Sequence, residues 1–204
     1  MCILLNRMDK RRYFTTRMIA TTGILTGILI ILQVIGNYIN PSFANINLSL
    51  IPIAIGAILY GPLVGGFLGL VCGVMVLVSP STMNVFFVVS PLGTVLACLT
   101  KTTLAGIIAG FVMKLMKNHK TAGSIVASIL VPTINTGIFC IFASIFFMPL
   151  LNDMVSNGAF NNTVSALFIG MAGINYIFEV ISTAILTPSL YKIIEHNRTN
   201  KEID

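Results

Sequence analysis

The sequence predicts an all-α integral membrane protein, a six-transmembrane-helix bundle with both termini on the inner side (N-in and C-in). Three observations carry that expectation. Of 204 residues, 56% are hydrophobic and only 9% charged, against about 25% charged in a soluble globular domain. The mean hydropathy is +0.96, and several apolar runs approach the twenty residues or so that cross a bilayer. The net charge of +6 is gathered beside those runs: Arg7, Lys10, Arg11, Arg12 and Arg17 before the first, Lys114, Lys117 and Lys120 midway, and Lys192, Arg198 and Lys201 after the last. Basic groups placed in this way mark inner-side membrane anchors. A nucleic-acid partner would need a basic face with stacking aromatics, and none is expected. The chain 1–204 reads as a single membrane domain in a lipid bilayer.

The first helix is expected over 18–36, MIATTGILTGILIILQVIG. No small-x-small cleavage site ends this run, so it reads as a retained helix rather than a signal peptide. The second, over 48–60, reaches only about 20 Å, short of the roughly 30 Å hydrocarbon core. Gly61-Pro62 breaks the chain before a third helix over 63–79. The fourth is expected over 88–116, the fifth over 122–150 and the sixth over 163–192. One kinked helix over 48–79 would leave five spans and divide the basic groups between the two faces. Six spans place all of them inside and leave loops 37–47, 80–87 and 151–162 outside, with Asp153 as their only charge.

Enzymatic motifs are absent from the sequence. His119 and His196 fall in basic segments, and outside the terminal tails the only acids are Asp153 and Glu179. No HExxH, GxSxG or Walker A pattern occurs, so no catalytic residue is expected and ATP hydrolysis would fall to other chains. Cys72, Cys98 and Cys140 lie in apolar runs without a CxxC, which points to neither a disulfide nor a zinc site. No metal or cofactor is expected.

Two ionisable residues remain inside the predicted membrane spans. Lys101 is the one charge in LACLTKTTLAG, and Glu179 stands in the sixth helix. A charge at the centre of a span costs about 2.5–3.5 kcal/mol, so such residues pair or line a polar cavity. The fourth and sixth helices run in the same direction and hold the two at similar depth. A salt bridge between them and a substrate site are both open. Asn175 shares a helical face with Glu179, and Asn135 follows Pro132, which frees a backbone carbonyl. The uncharged outer loops, NYINPSFANINLS with Tyr38 and Asn45, and the 80–87 segment with Asn84, are candidates to cap such a site. Ala20, Gly23 and Gly27 on the first helix, and Gly65, Gly69 and Gly73 on the third, recur at spacings of three and four. These small residues serve either packing within the bundle or the docking of a partner.

Six helices, inner basic ends and a small-residue first helix resemble the substrate-binding S component of energy-coupling factor (ECF) vitamin transporters. The stretch NLSLIPIAIGAILYGPLVGGFLGLVCG, residues 47–73, is similar to that family's second and third helices, most of all in its pantothenate type. The resemblance implies capture of a water-soluble vitamin at the outer face, under the loop after the first helix. Delivery would involve a transmembrane coupling protein and two ABC ATPases in a bacterial-type plasma membrane. In the family a small-residue face on the first helix docks the coupling protein, and Ala20, Gly23 and Gly27 match it. Lys101, Asn135, Asn175, Glu179, Asn84, Tyr38 and Asn45 are then the substrate-binding candidates. The absence of Trp disfavours flat heteroaromatic vitamins, which want a stacking surface. Riboflavin or folate stays open, as do a stand-alone ion-coupled secondary transporter and a membrane scaffold without a ligand.

Overall fold

A computed structural model describes residues 16–39 and 47–200. Every element in it is helical. Helix α1 is Thr16–Ile39, α2 is Leu50–Tyr60 and α3 is Pro62–Leu77. A wide π-type segment, Thr82–Phe87, leads to α4, Pro91–Leu115, and α5, Lys120–Phe146. A short helix α6, Met148–Ser156, and a turn at Thr163–Ser165 precede a second π-type segment, Ala166–Gly173, which runs into α7, Ile174–Asn200. Four stretches are long and apolar enough to cross a membrane: Thr16–Asn37, Pro91–Leu115, Lys120–Phe146 and Thr163–Ile194. Helices α2 and α3 are apolar but shorter.

Local chemistry explains the boundaries. Gly61 takes φ 86°, a left-handed conformation that costs glycine little. It ends α2, and Pro62 opens α3 where a missing N–H costs nothing. Ser90 caps α4 by accepting from the Gly93 N–H at 3.3 Å. The helix expected to run to residue 150 ends at Phe146 instead. Pro149 would have no N–H to give and its ring would meet the carbonyl four residues back, so the chain breaks at Phe147 and restarts with Pro149 in the first turn of α6. The expected outer loop 151–162 is therefore helical as far as Ser156. Likewise the expected loop 80–87 is mostly wound into the first π-type segment. Pro132 lies inside α5 without ending it.

Packing follows the rule for helices in lipid, where small residues bring backbones together and large apolar ones face outward. Ile19, Ile24, Leu63, Leu92, Ile145 and Ile185 are exposed, whereas Ala97, Ala105, Ala109 and Ala127 are buried. The α3–α4 contact is the closest instance. A Cβ placed on Gly65 would lie 2.4 Å from the Gly106 carbonyl oxygen, and one on Gly69 would lie 2.2 Å from that of Thr102. Helix α2 is the hub of the bundle. It packs against α1, α3, α4, α5 and α7, and every residue from Leu50 to Ile58 is buried.

The two glycine series part company here. Gly65, Gly69 and Gly73 are buried against α4. Ala20, Gly23 and Gly27 lie on the exposed side of α1, and nothing stands within 4 Å of a Cβ built on either glycine.

Candidate functional site

At the end of the bundle where α1 stops and α2 begins, a cavity of about 140 Å³ opens between α1, α3, α4, α5 and α7. It is roomy enough for about ten waters or one small molecule. Lys101 of α4, Asn135 of α5, and Asn175 and Glu179 of α7 all line it. The sequence named these residues on three separate helices, and the fold brings them together around one cavity.

Their interactions are specific. Among the described residues, Lys101 and Glu179 form no ion pair within 4.0 Å; the salt bridge that the sequence left open is not made. The Lys101 ammonium lies instead 4.9 Å from the centroid of the Phe139 ring, within the range of a cation–π contact. Glu179 is buried and accepts from the backbone N–H of Asn47 at 3.3 Å. Asn135 is 5% exposed, and its Oδ1 has no hydrogen-bond partner among the described residues. A buried carbonyl oxygen left in that state costs roughly 1–3 kcal/mol. A ligand donor in the cavity would repay it.

Other polar groups complete the lining. Gln33 and Asn37 come from the end of α1, Asn47 from the approach to α2, and Ser79 and Thr82 from the α3–α4 connection. The Ser49 hydroxyl donates to Gln33 Oε1 at 2.8 Å and also bonds the Asn47 side-chain carbonyl. Gln33 Nε2 donates in turn to Asn37 Oδ1 at 3.4 Å. This network fixes one rim of the cavity to the buried start of α2. Gln33 was within reach of the sequence, since it interrupts the apolar run ILIILQVIG just as Lys101 interrupts its own. Thr136 and Phe139, also in the lining, carry no such signal.

The remaining candidates fall elsewhere. Asn84 is exposed and takes no part in the lining, because the π-type winding of Thr82–Phe87 turns Thr82 and Phe86 inward in its place. The side chain of Tyr38 and the whole of Asn45 lie outside the described residues.

A family model for the ECF transporter substrate-specific component matches residues 17–191. The chain belongs to the ECF transporter substrate-specific component family. As an S component it is a membrane transport-binding subunit and not an enzyme, and its family implies a small-molecule substrate and ECF partner subunits. No curated protein and no solved structure matches it. The family match covers α1 through most of α7, and hence every described residue of the cavity wall.

Proposed function

We propose that this S component captures an anionic water-soluble vitamin, pantothenate, in the cavity between α1, α3, α4, α5 and α7. The observation that carries the reading is Lys101: a lysine on a cavity wall inside the bundle, with no carboxylate within 4.0 Å among the described residues. A substrate carboxylate would supply the missing partner through a charge-assisted hydrogen bond. Asn135 Oδ1 would accept from the substrate's amide or hydroxyl hydrogens, and Glu179 and Asn175 offer further polar contacts to a molecule bearing both. Tyr38 and Asn45 belong to the segment that would cover the site.

The bundle would insert with six spans, α1 to α5 and the Thr163–Ile194 stretch, with both termini inside a bacterial-type plasma membrane. Lys114, Lys117 and Lys120 would then sit on the inner side. The open face of Ala20, Gly23 and Gly27 would dock a transmembrane coupling protein, and two ABC ATPases would supply the work. Binding differs between the outward and inward states, which is all that an external energy source needs to drive uptake.

Titration calorimetry on the purified chain in lipid nanodiscs tests the reading, with pantothenate, riboflavin and folate as probes. Saturable binding of pantothenate alone is expected. Binding of either other vitamin in its place, or of none, overturns the substrate assignment. Proton-driven uptake by liposomes that contain this chain alone would overturn the dependence on partner ATPases.

A further inference from the structure

The Lys101 ammonium stands over an aromatic ring. It lies 4.9 Å from the centroid of Phe139. Phe86 meets that ring edge-on, with centroids 5.6 Å apart and planes at 87°, and Phe86 in turn packs on the fully buried Phe147 at 5.0 Å. Lys101, Phe86 and Phe139 all line the cavity. A long lysine stem inside a membrane protein tends to carry its charge toward the nearest polar boundary. Lys101 is the eleventh residue of the 25-residue α4, about 15 Å from its start, so that tendency carries the ammonium toward the end where the cavity lies, and the ring marks where along the wall it rests.

We propose that Phe139 is a positioning and specificity-determining residue, whose π face holds the Lys101 ammonium at the cavity wall so that the site selects an anionic substrate over its neutral analogue. An ammonium has three N–H donors. One side can rest on the ring while another meets a carboxylate, because ring and cavity both adjoin the same nitrogen. Phe86, itself packed on Phe147, meets the ring through an edge contact and fixes its plane, and Phe86 belongs to the π-type segment between α3 and α4. Charge recognition is thereby tied to the seating of that segment. This role rests on the anionic-substrate reading, and it adds a residue with no polar atom to the recognition of a charge.

The test separates the ring's electrons from its shape. Phe139 is replaced by 4-fluoro- and then 3,4,5-trifluorophenylalanine, which keep its outline and drain its π face, and by leucine (F139L). Affinities for pantothenate and for neutral panthenol are measured in nanodiscs. In parallel, the lysines are reductively methylated with carbon-13, and the Lys101 resonance is assigned by its loss in K101R. The expected result is a stepwise loss of pantothenate affinity with fluorination, reaching about tenfold in F139L, with panthenol unchanged within about twofold. The Lys101 methyl resonance, shifted upfield by the ring, should return to its ordinary position in F139L. Equal losses for both ligands would make Phe139 a plain wall contact, and a gain in pantothenate affinity would make the ring a competitor of the ligand; either overturns the proposal. If the unmodified chain binds neither ligand, the substrate reading fails by itself. The lysine resonance then decides the positioning: an upfield shift that F139L abolishes upholds it, and an ordinary position in the unmodified chain overturns it.

Discussion

Replacing Gly69 with alanine sets a methyl group against backbone, with no side chain to swing aside. The new Cβ would lie 2.2 Å from the Thr102 carbonyl oxygen, 2.7 Å from its carbon and 2.8 Å from Thr103 Cα. Ordinary contact begins at 3.4 Å, so α3 and α4 must part by about 1.2 Å, the difference between those two distances. Overpacking of this kind costs about 1–3 kcal/mol. The opposite result is expected for Gly27→Ala, where nothing stands within 4 Å; there alanine gains up to about 1 kcal/mol in helix propensity. Cys72, Cys98 and Cys140 are buried and serve as built-in reporters. In a Cys2→Ser background, a thiol-reactive fluorophore in detergent should react at a lower temperature with Gly69→Ala and at an equal or higher one with Gly27→Ala. Thr102 adjoins Lys101, so Gly69→Ala should also weaken ligand binding. Equal stability of Gly69→Ala and the unmodified chain, or destabilisation by Gly27→Ala, would refute the assignment of the two glycine series to inner and outer faces.

Lys101→Ala should weaken pantothenate binding by tenfold or more, since a hydrogen bond to a charged group is worth about 1.5–3 kcal/mol; unchanged affinity in a less stable protein would make the lysine structural. Asn135→Leu should raise or preserve thermal stability, because it removes a buried oxygen without a partner among the described residues, while it lowers ligand affinity in the same calorimetric titration. Gly23→Val and Gly27→Val should leave ligand binding intact and abolish co-purification with a coupling protein and uptake; normal assembly would show that another face docks.

How much of this was legible in the sequence depends on contrast. Lys101, Asn135, Asn175 and Glu179 stand out because each puts polar atoms into an apolar run, and all four line one cavity. Rotation about the helix axis was not legible. A soluble helix shows its buried face by hydrophobicity, but here lipid and bundle interior are both apolar, and only side-chain size distinguishes them. Gly23 and Gly27 therefore look like Gly65 and Gly69 in sequence, although the first pair faces outward and the second meets α4 backbone. Phe139 was hidden for the same reason, since one phenylalanine among thirteen carries no mark of a neighbouring charge. Asn84 shows the same limit: its segment was expected to lie outside, but only the winding of that segment shows its side chain exposed and apart from the lining. The break at Phe147 was within reach, because Pro149 disfavours a continuous helix, but Pro132 inside α5 shows that proline alone does not end one.

The enclosure of α2 has a consequence in time. At eleven residues it reaches about 17 Å, too little to cross a bilayer alone, and its walls include α7, which is made long after it. The membrane cannot hold α2 in place while the ribosome is still working through the middle of the chain. Its final seating waits for α7, and so does Asn47 on the approach to α2, whose backbone N–H meets Glu179. The cavity rim thus depends on a contact between segments far apart in the chain, and the protein becomes competent to bind only when those two segments have met.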